Sequence, residues 1–205
     1  MTEPAGLRAR KKARTHDVIA EVAISLFLAR GFDHVSVTDI AAAAEISKPT
    51  LFRYFPTKED LVLHRFADHQ GEAARIVRGR PAGVPPVTAL HRHFRAGLDC
   101  YDPVTGLNDH PGVVAFHRLV FTTPSLAGRL TQYMLDDEES LAGALGPGIE
   151  ARLLAAQVLA VQRVLARANW HKIADGRTAR DVRPEAAADA DLAFAQLRSG
   201  TSETS

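Results

Sequence analysis

The sequence predicts an all-helical protein with a small N-terminal domain and a larger C-terminal domain. Apolar residues recur at intervals of three and four through most of the 205-residue chain, as on the buried face of an amphipathic helix. Helix-capping residues stand where several of these stripes begin. Alternating β-branched runs with hairpin turns are not found in the sequence. We expect about nine helices, and the clearest boundary is the Gly- and Pro-rich segment 79–86, which cannot continue a helix.

The N-terminal part is predicted to begin with an amphipathic helix over 15–30. Its apolar face consists of Val18, Ile19, Val22, Ala23, Leu26 and Phe27. Gly31 follows and suits the left-handed conformation that ends a helix. Ser36 and Asp39 have the spacing of a capping box, which opens a second helix. Residues 1–14 are basic and lack the apolar periodicity of an amphipathic helix, so we expect a disordered arm there.

Two more helices are expected directly afterwards. Ser47 suits the N-cap of a third helix, with Pro49 in its first turn, where no backbone N–H is needed. Thr57 and Asp60 have the spacing of another capping box. This box is expected to open a long fourth helix that runs toward Arg78. The N-terminal domain is therefore predicted over 15–60.

The larger domain is predicted over 61–198, with a disordered polar tail at 199–205. Helical stripes recur beyond the boundary segment, including two long amphipathic helices near the end of the chain. Two apolar stripes run from Leu90 to Tyr101 and from Val113 to Phe121. Three further helices are expected, one from Thr123 past Met134, one over roughly 149–172, and a last one over 184–198 that Pro184 opens.

Composition narrows the classes of function. With 25 basic and 24 acidic residues the net charge is only +1, so nucleic-acid binding must come from a local basic patch. Such a patch exists near the N-terminus, at Arg8, Arg10, Lys11, Lys12 and Arg14. The single cysteine, Cys100, excludes an intrachain disulfide. No apolar run approaches the roughly 20 residues of a membrane span, and no signal-peptide pattern is seen. We therefore expect a soluble, cytoplasmic protein.

The predicted second and third helices form a helix-turn-helix. Leu51 and Phe55 share the face that packs on the first two helices, while Arg53 and Tyr54 fall on the opposite face. This is how a protein presents a helix to the DNA major groove. Lys48 and Arg53 are suited to donate to a guanine edge or to phosphate, and the Thr50 methyl group to meet a thymine methyl. Lys58, at the start of the fourth helix, is expected to reach phosphate.

The segment 15–61 resembles the DNA-binding domain of the tetracycline-repressor (TetR) family of bacterial transcriptional regulators. The matching landmarks are Leu26-Phe27, Arg30-Gly31-Phe32, Ser36-Val37, Asp39-Ile40-Ala41, Ile46-Ser47, Thr50-Leu51, Phe55 and Lys58-Glu59-Asp60-Leu61. The resemblance implies a homodimer formed through the last two long helices. It also implies that the protein represses transcription at a palindromic DNA operator, and that a small-molecule effector relieves this repression. The expected DNA-binding residues are Ser36, Thr38, Ser47, Lys48, Pro49, Thr50, Phe52, Arg53, Tyr54 and Lys58.

Two positions depart from the family pattern. Glu45 stands where a turn glycine is usual, and it places a carboxylate near the DNA-binding face. Phe52 stands where the recognition helix usually has tyrosine, so it lacks a hydroxyl for phosphate and is expected to make only packing or van der Waals contacts. Tyr54 keeps a hydroxyl and is the better phosphate candidate.

The sequence also offers candidate residues for a ligand pocket in the larger domain. Its candidate residues combine apolar walls with a few polar tips: Phe94, Leu98, Tyr101, Phe116, His117 and Tyr133. The alternative for each of them is a plain core position. The effector is expected to shift the equilibrium between two conformations, through a movement of the fourth helix that displaces the recognition helices.

Other chemistry finds little support in the sequence. The histidine pairs His91 with His93 and His64 with His69 lack the i, i+4 spacing of a metal-ligand pair on a helix, so we expect no metal site. No nucleophile elbow, phosphate loop or dinucleotide fingerprint is present, so we expect neither an enzyme nor a cofactor. Two alternatives stay open at this point. One is a DNA-binding dimer without a small-molecule response, and the other is a small helical enzyme or metal-binding protein.

Overall fold

The computed structural model describes residues 4–67 and 69–202, and the regular structure within these ranges is entirely helical. The all-helical prediction is confirmed, with ten α-helices rather than about nine in the described ranges. They are α1 (Pro4–Arg30), α2 (Val37–Ala43), α3 (Lys48–Tyr54), α4 (Asp60–Ala67), α5 (Glu72–Gly79), α6 (Pro86–Asp99), α7 (Pro111–Thr122), α8 (Pro124–Leu145), α9 (Ile149–Ala174) and α10 (Ala179–Ser202), and a 3-10 turn at Pro103–Thr105 follows α6. None of the described helices combines the length and apolar character that a membrane span requires.

The chain divides into two compact units, and each draws on two stretches of sequence. The first unit consists of Met1–Asp68 and Ala115–Leu130. The second consists of His69–Val114 and Thr131–Ser205. The first unit is therefore larger than the predicted DNA-binding domain, because it also contains α4, the end of α7 and the start of α8.

The core of the first unit forms where the apolar face of α1 meets α2, α3 and α4. Phe27 packs on Phe32 with ring centroids 4.8 Å apart. The three predicted caps are present, and each fixes where a helix begins. The fully buried side chains of this core include Ile19, Phe27, Ile40, Leu51, Phe55 and Leu61.

The two chain ends differ from the prediction. Helix α1 begins at Pro4, so the basic residues expected in a disordered arm belong to its first turns. Alanine, arginine and lysine are strong helix formers, and a run of them forms a helix that shows no apolar stripe. At the other end α10 continues to Ser202, past the predicted end at 198. Of the expected disordered segments, residues 1–3 and 203–205 lie outside the described residues.

The long fourth helix predicted from Thr57 toward Arg78 is in fact two helices. Helix α4 ends at Ala67 and α5 begins at Glu72. Gly71 adopts a left-handed conformation with φ of 70°, which an α-helix cannot accommodate. Its N–H donates to Asp137 Oδ1 at 2.7 Å.

The last helix begins before Pro184 rather than at it. Thr178 Oγ1 accepts a hydrogen bond from the Asp181 N–H at 3.2 Å, which caps the first turn of α10. Pro184 lies inside the helix. Only the first four N–H groups of a helix lack an intrahelical acceptor, so Pro184, the sixth residue of α10, removes one intrahelical hydrogen bond without ending the helix.

The core of the second unit forms between α6, α9 and α10. Gly106 is in the left-handed region at φ of +72°, and a Cβ there would lie 1.9 Å from the Ala166 carbonyl oxygen of α9. The Asn169 side-chain amide donates to the Thr105 carbonyl at 2.9 Å, which holds the 3-10 turn on α9. The buried apolar residues of this core include Leu90, Phe94, Leu98, Leu107, Val158, Leu165, Val182 and Phe194.

Candidate nucleic-acid interface

Helix α3 is short and is held at both ends. Ser47 is its N-cap, and the Ser47 Oγ accepts a hydrogen bond from the Thr50 N–H at 3.3 Å. Pro49 lies in the first turn, where its missing N–H costs no intrahelical bond. At the other end the Phe55 N–H donates to the Leu51 carbonyl at 2.9 Å. Leu51 and Phe55 are buried, and they anchor α3 in the first unit.

The opposite side of α3 faces solvent and is cationic. Lys48, Pro49 and Arg53 are exposed, and Arg53 lies over the ring of Tyr54 at 5.7 Å from its centroid. Within the described part of the chain, neither cation is in a salt bridge. Their charges are therefore available to an external anion.

Phe52 is 45 % exposed, which is unusual for a phenylalanine within a folded domain. It does not fill the core, so of the two roles expected for it the contact with an outside molecule fits the structure better. An apolar ring beside two cations suits a DNA edge, where thymine methyl groups and sugars offer apolar surface.

Several predicted DNA-binding residues use their polar groups inside the protein. The Ser36 N–H and hydroxyl both donate to Asp39 Oδ2, at 2.8 and 2.6 Å. These hydrogen bonds hold the pKa of the exposed Asp39 carboxyl below its usual value. Thr50 Oγ1 lies 2.9 Å from Ser47 Oγ, so both hydroxyls serve the helix cap. Thr38 is exposed on α2.

Lys58 has an intramolecular role that the sequence did not reveal. Its Nζ donates to the Phe32 carbonyl at 2.5 Å, and it also lies 4.1 Å from the centroid of the Phe32 ring. The side chain therefore ties the start of α4 to the loop before α2. An ammonium group has three N–H donors, and a phosphate contact would use the others. That contact stays a prediction.

Glu45 occupies the turn between α2 and α3 in a left-handed conformation with φ of 54°. This is the conformation for which the family pattern has a glycine, and it is costly for a residue with a Cβ. The turn therefore keeps its geometry at an energetic cost. The Glu45 side chain is exposed, so the turn directly before α3 presents a carboxylate to solvent.

The predicted basic arm places cations along α1. Arg10, Lys12 and Arg14 are exposed on its first turns. A helix keeps these charges in fixed relative positions, whereas a disordered arm would not.

Asp60 organises the junction after α3, which the sequence showed only as a cap. Its Oδ2 accepts from the Thr57 N–H at 3.1 Å, and its Oδ1 accepts from Arg129 Nε at 3.1 Å. Arg129 belongs to α8, 69 residues away, so no local pattern could have predicted this pair. The carboxylate of Asp60 is 8 % exposed, and it ties the start of α4 to α8 within the first unit.

The six predicted pocket residues are distributed over both units. Phe94, Leu98, Tyr101 and Tyr133 belong to the second unit, whereas Phe116 and His117 belong to the first. Phe94 and Leu98 are part of the second unit's apolar core, which is the alternative to a pocket position that the sequence left open. A surface groove of about 400 Å³ between the end of α8 and the start of α9 is lined by other residues, among them Leu135, Glu138 and Arg152.

His117 is the unusual member of this set. It is 6 % exposed, and burial lowers the pKa of its imidazole to about 4. Its Nδ1 has no hydrogen-bond partner among the described residues. A buried polar atom without a partner is costly, and such atoms are concentrated at functional sites.

Comparisons with known proteins agree with this arrangement. Residues 19–64 match the family model described as bacterial regulatory proteins, tetR family. The transcriptional regulator TcmR of Streptomyces glaucescens is 35 % identical over 183 residues, which cover 83 % of this chain and 79 % of TcmR. The transcriptional repressor DhaR of Mycobacterium sp. (strain GP1) is 33 % identical over 98 residues, which cover 46 % of this chain and 48 % of DhaR. A crystal structure of a TetR-family regulator from Streptomyces coelicolor A3 covers 89 % of this chain and 96 % of that chain, with a TM-score of 0.55 and 22 % identity, and it shows the same fold.

Proposed function

This chain belongs to the tetR family of bacterial regulatory proteins, and from that premise we propose that it is a homodimeric repressor of a palindromic operator. It is a DNA-binding transcriptional regulator, and a cytoplasmic location follows from acting on bacterial DNA. Repression is the mode that the name of the relative DhaR states. The observation that carries the proposal is the exposed cationic side of α3, which stands on the buried anchors Leu51 and Phe55.

The side chains of α3 divide into two roles. Lys48 and Arg53 are suited to donate to guanine edges or phosphates, and Phe52 to pack against thymine methyl groups or sugars. Tyr54 is half-buried and lies under Arg53, so its hydroxyl is a phosphate candidate. Base contacts of this kind discriminate by about 1–3 kcal/mol each, whereas phosphate contacts only set position.

Dimerisation is proposed through exposed faces of α9 and α10. Ile149, Leu153 and Val164 lie 4 and 11 residues apart on α9, which places them on one side of the helix. Leu192 is 62 % exposed on α10. Large apolar side chains that face solvent at helical spacing mark a surface that binds another protein. A second copy offers the same surface, and a two-fold dimer presents two recognition helices about 34 Å apart to successive major grooves.

A small-molecule effector that releases the repressor from DNA is the last part of the proposal. His117 supports it, because a neutral imidazole with an unsatisfied Nδ1 is suited to donate to or accept from a bound ligand. The alternative is a DNA-binding dimer without an effector. The core positions of Phe94 and Leu98 favour that alternative, since two of the six candidate residues are not available to a ligand.

The test is selection of bound sequences from a random DNA pool with the purified full-length protein. We expect a palindromic consensus and an affinity that falls steeply as salt rises. Lys48→Ala and Thr50→Ala should alter the selected sequence, whereas Lys58→Ala should weaken binding to all sequences alike.

Arg78→Ala is a matched control, because it removes an exposed cation of the second unit. Its binding should equal that of the wild type. A selection without a palindrome, or sequence-blind losses from all three variants of the first unit, would contradict the proposal.

A further inference from the structure

Two imidazoles and a carboxylate converge in the first unit, and none of the three residues is among the predicted DNA-binding residues. His16 and Asp17 lie on α1, and His64 lies on α4. One nitrogen or oxygen atom from each of the three side chains lies within 4.8 Å of the others. The histidines are 48 residues apart in sequence, so the spacing rules for metal-ligand pairs could not detect them.

We propose that His16, Asp17 and His64 bind a divalent late first-row transition-metal ion, with Zn²⁺ as the representative case. Imidazole nitrogen with carboxylate oxygen is a donor set for ions of this type. Ca²⁺ and Mg²⁺ prefer oxygen donors throughout, so two imidazoles disfavour them. Three protein ligands leave the fourth tetrahedral position to water.

The separation of the two rings and the distance between one pair of donor atoms are close to those around a tetrahedral ion. Two imidazoles bound tetrahedrally through nitrogens about 2.0–2.1 Å from the ion have ring centres about 5 Å apart. The His16 and His64 ring centroids are 5.2 Å apart at an interplanar angle of 68°. Donor atoms around such an ion are about 3.4 Å apart, and His16 Nδ1 lies 3.6 Å from Asp17 Oδ1.

The surroundings hold the site in place. The His16 ring stacks on Phe55 at a centroid distance of 4.1 Å, and the His64 ring lies nearly perpendicular to the same phenylalanine ring at a centroid distance of 6.0 Å. Both histidines are half-buried, whereas Asp17 is 65 % exposed, so an ion can enter from the solvent side. The ion would join α1 to α4 directly beside the C-cap residue of the recognition helix.

The experiment is a titration of the full-length protein with ZnCl₂ by calorimetry, and with CoCl₂ by visible absorption. We expect one ion per chain, and for Co²⁺ the absorption bands of a low-coordinate site with nitrogen and oxygen ligands. His16→Gln and His64→Gln should each lower zinc affinity at least tenfold. Asp17→Asn tests the carboxylate at an exposed position, where the substitution leaves folding intact, and it should also weaken binding.

Two controls separate this site from others. His34→Gln removes an exposed histidine of the same unit and should leave affinity unchanged. The double variant His69→Gln/His93→Gln removes the pair that faces Glu72, at 3.1 and 3.3 Å, and should also leave it unchanged. Loss of binding only in the double variant, or equal affinity in all variants, would overturn the proposal.

For each protein, the Tm in the presence of zinc is compared with the Tm of the same protein in the presence of a chelator. A variant that is less stable than the wild type is therefore still informative, because it serves as its own reference. Binding to the folded state raises Tm. The wild type should gain several degrees, whereas the variants of His16 and His64 should gain little. A zinc-dependent gain as large in the His16 and His64 variants as in the wild type would also overturn the assignment.

Discussion

The burial of His117 makes the stability of the protein depend on pH in a defined direction. The imidazole pKa falls from 6.5 in the unfolded chain to about 4 in the folded protein because burial disfavours the charged form. Between these values the unfolded chain binds more protons than the folded protein. The stabilisation by neutral His117 is therefore complete above pH 6.5 and is lost as the pH falls toward 4.

The magnitude follows from the difference between the two pKa values. The full shift corresponds to about 3 kcal/mol, and at pH 4.5 about 2.5 kcal/mol of this is already lost. His117→Gln keeps a polar side chain but does not titrate. The difference in unfolding free energy between wild type and variant should therefore change by about 2.5 kcal/mol from pH 7 to pH 4.5, in favour of the variant.

The assay is urea unfolding followed by circular dichroism, at both pH values and at constant protein concentration. Carboxylates that titrate over the same range contribute equally to both proteins, so the difference isolates His117. The exposed His171 provides the variant His171→Gln as a control for the loss of a histidine at the protein surface. If the difference in unfolding free energy between wild type and His117→Gln were the same at both pH values within about 0.5 kcal/mol, the imidazole would not be buried in its neutral form.

Three further predictions concern backbone geometry and assembly. Glu45→Gly should raise the unfolding free energy by about 1 kcal/mol in thermal unfolding, because glycine removes the cost of the left-handed conformation; a loss of stability would contradict this. Gly106→Ala should destabilise the protein by several kcal/mol, because its Cβ would collide with α9, whereas Gly128→Ala, with open space around it, should not destabilise it. Leu192→Asp should shift sedimentation from dimer to monomer, and Val104→Asp, which changes another exposed apolar residue, should leave the dimer intact. An unchanged dimer in Leu192→Asp would exclude the α10 surface as the interface.

The helix starts of the first unit could be predicted because their causes are local. A serine or threonine cap and its partner three residues later depend only on the adjacent sequence, and the hydrogen bonds of Ser36, Ser47 and Thr57 are all present. The same holds for the buried pair Leu51 and Phe55, because helical spacing alone places them on one face.

The break before α5 could not be predicted, because its cause is distant. A single glycine within a helical pattern is compatible with an uninterrupted helix. What fixes Gly71 in a left-handed conformation is its hydrogen bond to Asp137, 66 residues later in the chain. The pairs of Asp60 with Arg129 and of His16 with His64 are of the same kind. The helix starts and the buried face of α3 were therefore predictable from local sequence, whereas side-chain pairs that tertiary contacts bring together were not.

The internal hydrogen bonds around α3 limit which residues read DNA. The hydroxyls of Ser36, Ser47 and Thr50 form hydrogen bonds at helix caps. If a hydroxyl left its cap to bind DNA, the start of the helix would lose about 1 kcal/mol of stability. Ser36 and Ser47 are therefore expected to set where α3 lies rather than which base it contacts, whereas the Thr50 methyl group takes no part in the cap and stays a candidate for a thymine contact. We therefore expect sequence preference to depend on the exposed side chains of α3, among which Phe52 departs from the family pattern. An apolar ring in place of a phenol exchanges a phosphate contact for an apolar one, so this position should retune base preference as well as affinity.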